Sequence, residues 1–557
     1  MASAKEQEEG NSKCIEVWPM SKKDVGGALV KQAAILAVAS MIVRVMGLIY
    51  RWPLTNMIGD DGNGLYGTAF NIYLLFFILS SGGLPAAISK MVSERIALRQ
   101  YKSAHKVFRA SLVMAATMGI VGSMLLWFGA YPIAKFMNNT RIVYSMRALA
   151  PTLFIVALMG SFRGYFQGMN TMVPTAISQI IEQLFNAIFS IVLAALLIGK
   201  GVEYGAAGGT MGTGIGALMG FLFLLFIYIL LHPKLIKRIN RQKAYEIDES
   251  FKDILKDLIS ISIPIIIGTT IFSVTNLIDV KMVMTILQKS LGMTELEANG
   301  LYGQLTGKYV TLTNLPVSIS TALAAAIIPS IAASMALKEK KTVINKVNLA
   351  MRATMILAAP SAVGLFVLGD PVLKTLFPRY PAGGDLLRIG AVAIIFLSLV
   401  QVSTAILQGV GRAGIPAINA GVGAFVKIIL NILLISIPFI NIRGAVMSTV
   451  GCYVVVCYLD IKAVKKITKV EIQILDTIIK PLGAAVVMGI FSFLFYNILL
   501  WGTSSNAFAT LGSIILSVLV YSGILFSIGG ITQEEIKLLP MGNKVISKLT
   551  KIGVFKK

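Results

Sequence analysis

The sequence predicts an all-α polytopic membrane protein of 14 transmembrane helices, built as two pseudo-symmetric six-helix lobes plus two C-terminal helices. Three observations predict it. The chain is 56% hydrophobic and 14% charged, with a mean hydropathy of +0.79, far outside the range of a water-soluble domain. Apolar runs near the bilayer-spanning length of about 20 residues recur along its whole length. Two short motifs also recur in one phase: "NGLYG" stands at 63–67 and at 299–303, and a Gln-Gly ahead of Pro occurs in "YFQGMNTMVPTA" and "ILQGVGRAGIPA", placing Gln167 against Gln408. Both pairs share an offset of about 240 residues, which marks a duplicated unit.

In chain order the spans are predicted at 28–50, 65–89, 110–134, 143–168, 174–198, 205–231, 258–287, 303–335, 347–368, 386–410, 415–438, 443–461, 478–501 and 508–530. They divide the chain into a cytoplasmic N-terminal segment (1–27), an N-lobe of spans 1 to 6 (28–231) and a basic cytoplasmic loop (232–257). A C-lobe of spans 7 to 12 with its following basic loop (258–469), spans 13 and 14 (470–531) and a basic amphipathic cytoplasmic tail (532–557) complete it. A six-span repeat enters the membrane twice from the same side. Its copies are therefore related by an axis along the membrane normal, as in transporters whose halves rock about a central site. Both "NGLYG" copies then open spans 2 and 8 at the outer mouth. The Gln-Gly turns lie at the cytoplasmic mouth, where Pro174 and Pro416 suit the first turn of a helix.

The formal charge of +24 does not indicate nucleic acid. Its Lys and Arg residues sit in alternate loops, such as "HPKLIKRINRQK", "KEKK" and "KAVKKITK", while "GDDGNG" and "WGTSSN" on the other side carry few. The positive-inside rule places both termini in the cytoplasm. The start "MASAKEQEEGNSKCIEVWP" is unlike a signal peptide, and Met20 is a candidate alternative start. In the tail, Thr532 and Glu535 have capping-box spacing, and Val545, Ile546, Leu549 and Ile552 share one face opposite lysines, the pattern of a surface helix on anionic lipid. Cys14, Cys452 and Cys457 offer neither a disulfide framework nor metal-ligand spacing, and no cofactor is expected. His105 and His232 read as surface residues of basic loops.

Charges inside spans are costly and mark function. Arg44 falls about 24 Å into span 1 at 1.5 Å per residue, and Arg51 follows two turns later. Asp279 and Lys281 stand at matching depth before the second "NGLYG", and Lys308 enters span 8 beside them. These five form the expected substrate-binding set, a cationic group suited to diphosphate. Lys31, Arg147 and Arg163 lie near span ends and read as snorkelling residues. Nearer the midplane, Glu182 and Lys427 follow their prolines by distances that keep both on one helical face. Pseudo-symmetry is expected to turn that acid and base toward each other, as a coupling or gating pair or as a structural ion pair.

The stretches "RVMGLIYRWPLTNMIGDDGNGLYG", "SSGGLPAAISKMVSE" and "FRGYFQGMNTMVPTAISQIIEQ" resemble the MviN/MurJ-like branch of the multidrug/oligosaccharidyl-lipid/polysaccharide exporter superfamily. The likeness is greatest to its polysaccharide-biosynthesis and sporulation stage V protein B group, and it covers nearly the whole chain. One departure stands after "IEQ", where the family pattern has Arg-Val and this chain has "LFNAI". The resemblance implies a flippase that moves an undecaprenyl-diphosphate-linked cell-wall precursor, lipid II first among them, from inner to outer leaflet in the bacterial cytoplasmic membrane. It also implies that spans 13 and 14 form a groove for the lipid tail. Other lipid-linked glycans and a cation-coupled drug exporter are the alternatives, with Na+ or H+ as coupling ion. The expected partners are the anionic lipid cargo and membrane lipids, with the protein as a monomer. A membrane glycosyltransferase or ligase is the rival class; the larger loops are basic, without a paired-carboxylate site or a suitable His.

Overall fold

The computed structural model describes residues 25–240, 249–471 and 473–529. The predicted tail helix and the N-terminal segment up to residue 24 lie outside them. No strand occurs among the described residues. The first group of helices is α1 (Val25–Phe77), α2 (Leu84–Ala97), α3 (Tyr101–Phe136), α4 (Val143–Gly168), α5 (Val173–Leu197) and α6 (Val202–Asn240). The second is α7 (Phe251–Lys289), α8 (Glu295–Gly303), α9 (Val310–Ala336), α10 (Lys340–Leu376), α11 (Gly384–Gly390), α12 (Val392–Gly409), α13 (Gly414–Ile435) and α14 (Ile442–Thr468). Then come α15 (Lys480–Thr503) and α16 (Asn506–Ser527).

Among the described residues, 12 helices are long and apolar enough to cross a membrane. The sequence reading differs in two places: it divides Val38–Ala97, a stretch of 60 residues, and it counts α7, which is not one of the 12. Within α1 the helix breaks at Gly59, where φ is 69° and ψ −172°. That backbone is one that Gly adopts without strain. The Tyr380 ring also lies only 2.9 Å from where a Cβ would stand.

Local chemistry accounts for several helix starts. Pro occupies the first turn of α2, α5 and α15, and Pro416 lies just inside α13, positions where the missing N–H costs nothing. Thr294 and Glu297 form a reciprocal capping box that starts α8. Short π-helical turns at Ile78–Gly82 and Gln304–Tyr309 interrupt the paths that follow the two "NGLYG" copies.

Large apolar side chains face outward, Phe128, Phe439 and Trp501 among them, because lipid rather than water surrounds the bundle. The interior is packed through small residues, as in membrane bundles generally: Gly208, Gly212 and Gly216 of α6 meet the backbone of α5 at Leu193, Ser190 and Glu182. Helix α7 lies at the seam, touching α1, α2 and α3 on one side and α13 and α14 on the other. α15 and α16 form a hairpin against α10, tied by Tyr521 donating to the Ile356 carbonyl at 3.0 Å and by Asn506 donating to Thr375 at 2.8 Å. His105 and His232 are not loop residues: they belong to α3 and α6 and are half-buried. His105 stacks on Tyr228 and touches Phe108, Tyr165 and His232, because its helix begins four residues before it.

Candidate functional site

A cavity of about 710 Å³ opens between the two groups of helices. From α1 it takes Arg44, Tyr50, Arg51 and Tyr66, and from α5 Glu182, Gln183 and Asn186. Across it stand Thr311, Asn314, Ser318 and Thr321 of α9 and Gln401 of α12. One wall is thus charged and the other is lined by neutral hydrogen-bonding groups.

The charged wall is net positive. Arg44 and Arg51 have no carboxylate partner among the described residues. The Arg51 guanidinium lies over the Tyr66 ring at 4.3 Å, and the Tyr66 hydroxyl meets that of Tyr50 at 3.3 Å, which fixes the cation without neutralising it. The third charge, Glu182, is already balanced: Arg163 of α4 donates to it at 2.7 Å and to Ser178 at 3.1 Å. Arg163 therefore does not snorkel. It lies only five residues from the end of α4, yet a carboxylate within reach inside the bundle outweighs the route to the interface.

Beyond the cavity, about three turns above Arg51, the two "NGLYG" copies pack against each other. A Cβ on Gly64 would stand 2.6 Å from the Asn299 side-chain oxygen, one on Gly67 2.8 Å from the Thr306 hydroxyl, and one on Gly307 2.7 Å from the Asn63 side chain. Only Gly allows helices this close. Polar groups seal the crossing. Asn299 donates to the Asp61 carbonyl at 2.6 Å and to its carboxylate at 2.7 Å, while Arg141 holds that carboxylate through two bonds of 2.9 and 2.8 Å. Arg141 also pairs with Glu203 at 3.3 Å.

Lys308 belongs to this seal and not to the cavity. It is fully buried, paired with Asp60 at 2.6 Å and donating to the carbonyls of Tyr380 and Ala382 at 2.6 and 2.8 Å. Two of its ammonium protons are taken by carbonyls, and Asp60 balances its charge.

Asp279, Lys281 and Lys427 also lie away from the cavity lining. Asp279 pairs with Lys427 at 2.9 Å and accepts from Asn431 at 2.6 Å. Lys281 donates to the Phe136 carbonyl and lies over the Phe136 ring. Equal depth did not give equal facing. Relative to "NGLYG", Asp279 and Lys281 are each one residue out of register with Arg44, and one residue turns a side chain by about 100° on a helix of 3.6 residues per turn. The expected meeting of Glu182 with Lys427 fails for a related reason. In a low-dielectric interior each charge takes the nearest opposite charge, and both find one on a neighbouring helix. Asp60, Asp61 and Arg141 are not among the residues expected from the sequence; the two acids just before the first "NGLYG" are the available signal.

Two helical groups around a cationic cavity, closed at one end by an inter-group crossing, define a membrane carrier. Comparison with known proteins agrees. The family described as "Polysaccharide biosynthesis protein" matches residues 29–335, more than half of the chain, and this protein belongs to that family. It is 28% identical over 519 residues to stage V sporulation protein B of Bacillus subtilis (strain 168), covering 93% of this chain and 98% of that one. It is 27% identical over 447 residues to the lipid II flippase MurJ of the same organism, covering 76% and 80%. Among solved structures it is similar to a lipid II flippase MurJ in an inward closed conformation, with TM-score 0.65 and 16% identity over 88% of this chain and 98% of that one. An inward-facing multidrug resistance MATE family transporter follows at TM-score 0.61 and 14% identity, covering 77% and 94%. The relatives and structural neighbours with a named activity are flippases and transporters, so the protein is a multi-pass membrane transporter and not an enzyme.

Proposed function

We propose that this protein is a flippase carrying an undecaprenyl-diphosphate-linked cell-wall precursor, lipid II foremost, from the inner to the outer leaflet by alternating access. The observation that carries this reading is the pair of cavity arginines, Arg44 and Arg51, without carboxylate partners among the described residues. A diphosphate offers oxygens that two guanidiniums bind through charge-assisted hydrogen bonds. The sugar and peptide of such a cargo would face Thr311, Asn314, Ser318 and Gln401. The outward apolar surfaces of α15 and α16, including Phe493, Leu494 and Ile515, suit a prenyl tail.

In this reading the crossing of the two "NGLYG" copies is the outer gate, closed, and the cavity belongs to the inward-facing half of the cycle. In the same reading Val38–Ala97, kinked at Gly59, serves as two spans and α7 as another, giving 14 with both termini cytoplasmic. The lobes are then 28–231 and 258–469. Substrate contact is assigned to Arg44 and Arg51, and Glu182 with Arg163 tunes the charge of the same wall. Asp279, Lys281, Lys308 and Lys427 are assigned to the framework around it.

A strain depleted of its lipid II flippase tests the proposal. Wild-type protein restores growth, and Arg44→Ala at equal expression does not. Growth restored equally by both would refute the assignment. Export of a different lipid-linked glycan is the second reading, supported by the family's description; failure of the wild type to rescue, with flipping of another diphosphate-linked glycan in vesicles, would favour it.

A further inference from the structure

Asp460 is the only fully buried carboxylate among the described residues. It has no ion-pair partner there, whereas Asp60, Asp61, Glu182 and Asp279 each have one. It projects from α14 between α12 and α13. Asn419 of α13 donates to one of its oxygens at 2.7 Å, and Thr404 of α12 lies 3.2 Å from the other. Helix α12 contains no charged residue, and the single one of α13, Lys427, is held by Asp279. On α14 itself Cys457, three residues earlier, is also buried. Lys462 turns toward the Tyr458 ring.

A buried carboxylate with no fixed counter-charge requires a mobile one. We infer that Asp460 is an exchangeable proton site. The donor set fits a proton. Asn419 donates to one oxygen whether or not the group is ionised. The Thr404 hydroxyl, a donor and acceptor by rotation, donates to the ionised second oxygen and accepts from the protonated one. Binding adds one proton at that oxygen and reverses one hydrogen bond, with no other bond made or broken. A sodium ion would need both partners to turn away from the carboxylate and further oxygens besides.

The site lies next to the cavity. Thr404 follows Gln401, a lining residue, by one helical turn of α12, so changing the Thr404 bond acts on the element that forms the cavity wall. This consequence rests on the carrier reading above; the proton site itself does not.

Infrared spectra of the purified full-length protein in lipid, recorded across pH in sodium-free buffer and repeated with sodium chloride, need no cargo. The expected result is a carbonyl band of a protonated carboxyl at neutral pH, shifted in D2O, absent from Asp460→Asn and unchanged by sodium. A spectrum without such a band, its persistence in Asp460→Asn, or its loss on adding sodium would overturn the inference. Should Asp460→Asn fail to fold, Asn419→Leu removes a donor that favours the ionised form. The band then persists to higher pH than in wild type; an unchanged titration would overturn the assignment.

Discussion

Substituting Ala for Gly303 adds one methyl group at the tightest point of the crossing between α1 and α8. That methyl would overlap the Asp60 carbonyl and stand 2.8 Å from the Gly64 amide nitrogen. Both obstacles are backbone atoms, so no rotamer relieves them and the helices must part by more than about an ångström. Overpacking of this kind costs about 1–3 kcal/mol. If only the sealed state bears it, the sealed population falls by about 5- to 150-fold relative to the open one. Thiol accessibility reads this out. A cysteine at Ser318, in the cavity wall, is introduced where the chain's own cysteines have been replaced, and an impermeant reagent is applied from outside intact cells. Gly303→Ala raises the labelling rate, whereas Gly300→Ala, where an added Cβ meets nothing within 4 Å, does not. Equal labelling of a folded Gly303→Ala protein and its parent would refute the account of the crossing as a gate.

Lys308→Met leaves Asp60 without its cation, and breaking such a buried pair costs about 3–5 kcal/mol; thermal unfolding in detergent shows a lowered midpoint, and adding Asp60→Asn recovers part of it. Asp279→Asn combined with Lys427→Met removes a framework pair as a unit, so transport in the double variant exceeds that of either single one; a double variant as inactive as the worse single would return these residues to the mechanism. In the proposed cycle, membrane potential is predicted to supply the driving force: outward movement of an anionic cargo would gain about 2.3 kcal/mol per charge per 100 mV from an inside-negative potential, and the emptied cationic cavity would be drawn back by the same field. Clamping the potential at zero with valinomycin and potassium, at constant pH and sodium gradients, therefore stops flipping, and flipping that survives the clamp rejects this scheme.

The class of fold was legible because two signals were redundant. Apolar runs fix a membrane bundle through composition alone, and the two "NGLYG" copies, read from their spacing as a repeat, lie against each other at the crossing. The same motif carried more than its repetition suggested, since its glycines let the copies pack on one another, a contact between residues far apart in sequence. Arg44, Arg51 and Glu182 were found by depth, and all three line the cavity. Depth is a one-dimensional coordinate, however, and facing depends on helical phase. A one-residue slip sent Asp279 to Lys427, and the meeting of Lys308 with Asp60 depended on the kink at Gly59. Arg163 was misread because distance to a helix end says nothing about a carboxylate on the next helix. Asp460 lies close to a basic loop in sequence, and only the packing of three helices reveals its burial.

The central claim, that two arginines without a carboxylate partner among the described residues make the cavity a diphosphate site, is tested most directly by equilibrium binding of purified lipid II to the purified protein. Each lost charge-assisted contact is worth about 1.5–3 kcal/mol. Arg44→Ala or Arg51→Ala is therefore predicted to weaken binding about tenfold or more, and undecaprenyl alcohol, which has no phosphate, to compete poorly. Unchanged affinity in a correctly folded Arg44→Ala, Arg51→Ala double variant would contradict the account.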